Sequence, residues 1–154
     1  MSNPSKSKGT AAETAIVRWL RNNGYPTAER RALSGNQDKG DILAGPGLVI
    51  EVKNRRGGAG YGQPGPSELG TWMAQAAADK ANARADLCPL IVKRVGTTDV
   101  GKWWLYLTAG EVAFLLDSGL DVTLPRPSAP LCMSVADGFA LLRVAGYGDE
   151  REAA

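Results

Sequence analysis

The chain has 154 residues, 44% hydrophobic and 22% charged, which is the size and make-up of one globular domain around one core. Two cysteines without CxxC spacing (Cys88 and Cys132) and the lack of any histidine argue against a disulfide framework and a conventional zinc site. Without histidine, Ser-His-Asp and Cys-His nucleophilic chemistry is excluded, leaving carboxylates, lysines, hydroxyls or an oxygen-liganded metal. The net charge of +2 is unevenly spread: residues 1–56 carry ten Lys/Arg and five Asp/Glu, residues 57–154 eight and eleven. A basic N-terminal half suits a polyanionic partner, although ordinary scatter of surface charge gives the same balance.

Residues Met1–Gly9 are polar and read as a flexible leader without the apolar stretch of a secretory signal. Ala12, Ile16, Val17 and Leu20 recur at helical spacing and predict an amphipathic helix over Thr10–Asn23, stopped by Gly24. Thr27–Leu33 predicts a strand, followed by a polar loop, Ser34–Asp38. Ile42–Ala44 and Leu48–Val52 predict a hairpin around Gly45-Pro46-Gly47. Asn54–Pro66 is a Gly/Pro-rich loop, and Ser67 is a candidate N-cap for a helix to about Ala85. Strands are predicted over Leu90–Val95 and Lys102–Leu107, antiparallel to each other, then a helix capped by Thr108 and running to about Asp117. A Pro-rich link, Leu124–Pro130, precedes a short strand and a last helix over Ala136–Ala145. The order αβββαββαβα predicts one α/β domain with a mixed central sheet flanked by helices. No apolar run approaches the ~20 residues of a bilayer span, and a cytoplasmic protein is expected, in a bacterial or archaeal cell or encoded by a phage.

Gly40–Lys53 is the segment that carries chemistry. Side chains alternate along a strand, so Glu51 and Lys53 share one face while Ile50 and Val52 share the other. A turn centred on Pro46 places Asp41 and Glu51 opposite each other, with Cβ atoms roughly 4.5–5.5 Å apart. Facing carboxylates repel unless a hard cation offsets them, and Mg²⁺ commonly takes one or two carboxylates plus water and substrate phosphate. The Val52 carbonyl is a further candidate ligand. Lys53 beside that ion is placed to orient or deprotonate water, or to stabilise charge on a transferring phosphate. An exposed strand face bearing Asp and a Glu-x-Lys pair is the plain alternative.

Glu13, Asp41 in Gly-Asp-Ile, and Glu51-Val-Lys53, in that order, resemble the PD-(D/E)XK nuclease superfamily. More narrowly they look like the archaeal-type Holliday junction resolvases and their phage relatives. In that family a Lys-Gly leader precedes a Glu-bearing helix, matched by Lys8-Gly9 and Glu13. An Arg-rich strand runs into a Ser-Gly loop, matched by Arg30-Arg31 and Ser34-Gly35, and a helix with Gln75 leads to the apolar Leu90–Lys93. The match covers residues 8 to about 95. The residue leading the Asp motif is not proline, and residues from about 108 onward read as a C-terminal extension of a nuclease domain over 10–147, before a polar tail at 148–154.

The resemblance implies a restriction-endonuclease-like fold, with Glu13, Asp41 and Glu51 as direct or water-mediated metal ligands and Lys53 as the catalytic lysine. Ser34 becomes a candidate for positioning the scissile phosphate. Lys8, Arg30, Arg31, Lys39, Arg55, Arg56 and Gln75 become candidate DNA contacts, largely to phosphates. The cofactor implied is Mg²⁺, with Mn²⁺ as a substitute, and the substrate is branched DNA, above all four-way junctions. Symmetric cutting implies a homodimer, its interface sought on the apolar strand and helix after Lys53. Trp72, Trp103 and Trp104 are candidates for stacking on unpaired bases, against the commoner role of tryptophan in a core. The glycine-rich 57–65 loop is a candidate to close over DNA. Rival readings are a repair or restriction-like nuclease on linear, nicked or single-stranded DNA, a non-catalytic DNA-binding module, and a small structural or partner-binding protein.

Overall fold

Elements follow one another in the order the hydrophobic pattern predicts. The computed structural model describes residues 4–32, 37–54, 63–116 and 123–149, with side chains from residue 9 onward. Helix α1 (Pro4–Arg21) leads into strand β1 (Glu29–Arg30) and the hairpin β2 (Ile42–Gly45) and β3 (Leu48–Lys53). Helix α2 (Pro66–Ala83) crosses to β4 (Leu90–Val92), a 3₁₀ turn spans Val100–Lys102, and β5 (Trp104–Thr108) follows. Helix α3 (Ala109–Leu115), β6 (Pro130–Ser134) and α4 (Val135–Val144) complete the chain. The result is one α/β domain with a mixed six-stranded sheet, ordered β1-β2-β3-β4-β5-β6, in which only β3 and β4 run parallel.

Two helix boundaries differ from expectation. Helix α1 begins at Pro4 rather than Thr10, so residues 4–9 join it instead of forming a leader; proline is tolerated in a first turn because its missing N–H has no helical partner there. Helix α2 is capped by Gly65 in extended backbone without a side-chain bond, and Pro66 opens it, so Ser67 is not the cap. Thr108 does cap α3: its hydroxyl accepts from the Glu111 amide while the Glu111 carboxylate accepts from the Thr108 amide.

The sheet is covered on both faces. On one, Ile42, Ile50, Ile91, Leu105 and Leu107 pack with Ile16 and Leu20 of α1 and Phe139 and Leu142 of α4. On the other, Leu90, Val92 and Tyr106 pack with Leu69, Trp72 and Met73 of α2. Residues from 108 onward are therefore tied into the sheet and its core through β6 and α4. Trp103 is 2% exposed and its indole N–H donates to the Thr97 carbonyl at 3.1 Å, so it is a core residue and not a base-stacking platform. Trp104 is half-buried beneath the Arg94 guanidinium. Strand β4 is interior and wholly buried, which leaves α2 as the exposed part of the expected dimer surface.

The hairpin register decides where the chemistry sits. Ile42 pairs with Ile50 and Leu43 with Val49, and a bulge then shifts the pairing to Gly45 with Leu48. Gly47 turns the chain at φ 74°, and its carbonyl accepts from the amides of Asp86 at 2.8 Å and Leu87 at 3.2 Å. The positive φ favours glycine there, and a Cβ would lie 2.4 Å from Asp86 Oδ2, so that carboxylate would have to swing aside. Asp86 in turn accepts from the Tyr147 hydroxyl at 3.1 Å.

Candidate active site

The paired register ends at Ile42–Ile50, and just beyond it the Asp41 side chain meets the Glu51 carboxyl. The Asp41 amide donates to the Ile50 carbonyl at 2.9 Å, and Asp41 Oδ2 accepts from the Val52 amide at 2.7 Å. Gly40 feeds the chain into this strand at φ 89°, with the space a Cβ would need bounded by the Ile50 carbonyl at 3.3 Å. Glu51 amide bonds run to Pro89 and the Lys53 carbonyl accepts from Lys93, both on the β4 side. Backbone groups alternate along a strand, so the Val52 carbonyl faces the β2 side, beside Asp41.

Glu51 and Lys53 lie on the α2 face, where Lys53 Nζ bonds Glu51 Oε1 and Gln75 Oε1, each at 2.7 Å. Gln75, a candidate DNA contact from the sequence, thus touches Lys53, its amide oxygen accepting from the ammonium. One helical turn further, Asp79 is 1% exposed and meets the Glu51 carboxyl, itself 2% exposed. Glu51 Oε2 and Asp79 Oδ2 are buried without a donor. Two carboxylate oxygens in contact need a proton or a cation between them. Sequence reasoning missed Asp79. Its signal was the spacing Gln75, Asp79, Asn82, which puts three polar side chains on one helix face; the last of them donates to the Asp38 carbonyl at 2.7 Å.

Burial raises the Asp41 carboxyl above its ordinary value, and burial, then the Asp41 charge, then the Asp79 contact push Glu51 up to about 9. Asp79 is likewise raised, chiefly by burial. Glu13 reaches the site from the opposite layer, over the β1 edge. Its carboxylate accepts from Arg30 Nε at 2.8 Å, and its acidity is lowered by burial and by the Asp41 charge. The structure therefore groups Asp41, Glu51, Lys53 and Gln75 directly and sets Glu13 at their margin. Arg31 donates to the Lys39 carbonyl at 3.0 Å, and both line a recess of about 40 Å³ that ends at Asp41. Ser34, Arg55, Arg56 and most of the 57–65 loop lie outside the described residues, as does the Lys8 side chain.

Among the described residues, no three His, Cys, Asp or Glu side chains converge into a ready-made ion cage. Mg²⁺ does not require one, since it keeps several waters and binds through one or two carboxylates plus substrate phosphate. The Asp41–Glu51 pair, with the orphaned Glu51 Oε2, fits that smaller donor set. No family model, curated protein or solved structure matches the chain.

Glu51 also makes the fold sensitive to pH. A carboxyl raised in the folded state stabilises it below the ordinary value of 4.5 and loses that contribution as pH rises through about 9. In chelator, the melting temperature is expected to fall steadily across that window, and saturating Mg²⁺ is expected to flatten the fall. A melting temperature independent of pH in chelator would show that the Glu51 carboxyl is not buried beside other acids.

Proposed function

We propose that the chain is a divalent-cation-dependent DNA endonuclease of the PD-(D/E)XK type with a restriction-endonuclease-like fold, cutting phosphodiesters in branched DNA. The observation that carries this reading is the contact of the half-buried Asp41 with the buried Glu51 on one hairpin, with Lys53 two residues along bonded to Glu51. The order of Glu13, Asp41, Glu51 and Lys53 along the chain supports the junction-resolving branch of that superfamily.

In this reading Asp41, Glu51 and the Val52 carbonyl hold the ion, Mg²⁺ or Mn²⁺. An ion held there would supply positive charge at the scissile phosphate and would make water easier to deprotonate. Lys53, aimed by Gln75, orients the attacking water and faces the charge that builds on the phosphate oxygens. Asp41 spends one oxygen on the Val52 amide, which fixes its carboxylate toward Glu51. Arg31 and Lys39 flank the Asp41 recess as phosphate contacts. Paired cuts require two such centres, so a homodimer accompanies junction resolution.

The test is cleavage of an immobile four-way junction beside matched linear duplex and single strand, with Mg²⁺ and with chelator. Symmetric, metal-dependent cuts on the junction are expected, reduced roughly 10²–10³-fold or more by Asp41→Asn and by Lys53→Ala. Cutting mainly of linear DNA would keep the nuclease and remove the junction preference. Tight, salt-sensitive binding without cutting under any condition would replace the enzyme with a DNA-binding module.

A further inference from the structure

Away from the carboxylates, three arginines from two elements converge on one groove. Arg18 and Arg21 stand one turn apart on α1, and Arg30 comes from the β1 edge; with Thr14, Val17 and Asn22 they line a groove of about 450 Å³. All three arginines are exposed. Arg21 spends only its Nε, on the Ala28 carbonyl at 2.9 Å, and Arg18 has no carboxylate partner among the described residues. Arg30 is engaged by Glu13 at 2.8 Å, which joins the groove to the margin of the candidate active site. Glu29 is the neighbouring acid, and strand alternation turns it to the other side of β1 from Arg30.

Arginines in a last helical turn also complement the helix dipole. That role does not explain the arrival of Arg30 from another element. Guanidinium forks along the walls of a groove match phosphate oxygens geometrically as well as in charge. From Thr14 to Asn22 the helix advances about 12 Å, the span of three or four successive phosphates on one strand.

We infer that the α1 groove holds the sugar-phosphate backbone of a DNA arm leaving the active centre, with Arg18 and Arg21 as its principal contacts. This rests on the nuclease reading and names where its substrate extends. The contacts are to phosphates, so they give affinity and direction without base preference.

The experiment measures binding of a fluorescent four-way junction, in chelator, to the full chain and to R18A/R21A across a salt series, with R18Q/R21Q as a second variant. Lys80→Ala/Arg126→Ala, on the α2–α3 side of the sheet, removes equal charge and serves as control. Loss of roughly tenfold or more in affinity, with the log–log salt slope smaller by about 2, is expected for both groove variants and not for the control. Shortening the junction arms by about four base pairs is expected to weaken the wild type alone. Equal affinity and slope in wild type and groove variants, with wild type binding and cutting normally, would overturn the groove and spare the nuclease. Equal losses in groove and control variants would also overturn it, as general charge attraction. No DNA binding by the wild type would overturn both.

Discussion

Glu51→Gln is expected to abolish metal-dependent cleavage while raising the melting temperature by roughly 10 °C at pH 8 in chelator. The two effects have one cause. Glu51 is 2% exposed, meets Asp41 and, from α2, Asp79, and pairs with Lys53 as its cationic neighbour among the described residues. At pH 8 folding must either keep a proton on that carboxyl or bury another negative charge, at about 1.4 kcal/mol for each pH unit above its ordinary value. Glutamine keeps the shape and an acceptor for Lys53, and its NH₂ supplies the donor that Glu51 Oε2 and Asp79 Oδ2 lack. The relief is on the order of several kcal/mol, and each kcal/mol moves the midpoint of a domain this size by roughly 2–4 °C. The same substitution removes the carboxylate that would hold the ion, so cleavage falls roughly 10²–10³-fold or more. Calorimetry and the junction assay on one preparation check both. A variant that loses activity and also stability would mean that Glu51 is held in place by the Lys53 pair and not strained by its acidic neighbours.

Phe139→Ala is expected to cost about 3–5 kcal/mol, the usual range for a buried aromatic truncated to alanine. Phe139 is 1% exposed, meets the Tyr25 ring edge-on with centroids 5.1 Å apart, and lies 5.8 Å from the Trp19 ring. It therefore joins α4 to the end of α1 and the turn that follows, and α1 carries both Glu13 and the basic groove. Chemical denaturation gives the loss directly. A cost below about 1 kcal/mol would mean that α4 is docked loosely and that the segment after 108 is dispensable to the fold. The region is also poor in room: a Cβ at Gly138 would lie 2.7 Å from a Leu105 methyl, so α4 approaches β5 closely there.

How much of this could be read from the residues alone depends on the type of signal. The hairpin was legible because strand alternation has a period of two, and its symmetry about Pro46 matches the observed Ile42–Ile50 pairing, next to which the Asp41 and Glu51 carboxyls meet. The order of elements was legible because Gly, Pro and polar clusters separate the apolar runs. Asp79 was not legible as a buried acid: α2 is rich in alanine, so its faces differ little in hydrophobicity, and a polar stripe on such a helix reads as its solvent side. For Trp103 the commoner core role holds, but which tryptophan takes it was open. A Trp-Trp pair at a strand start points one ring to each face, and only the tertiary fold determines which ring is covered. The separation of Gln75 from Lys53 hid their contact, since it depends on the crossover from β3 through α2 to β4.

The closed joint at Gly47 has a consequence for how this chain can vary. Hairpin tips are ordinarily the cheapest place to lengthen a protein, because the added residues project into water. Here the tip carbonyl is held by two amides from the far end of the α2 crossover, and the side chain of the first of those residues is held by Tyr147. An added residue would have to break that joint or shift β2 by one position, sending Asp41 to the face opposite Glu51. Length changes are therefore tolerable in the outer loops and not in the two-residue connection between these strands.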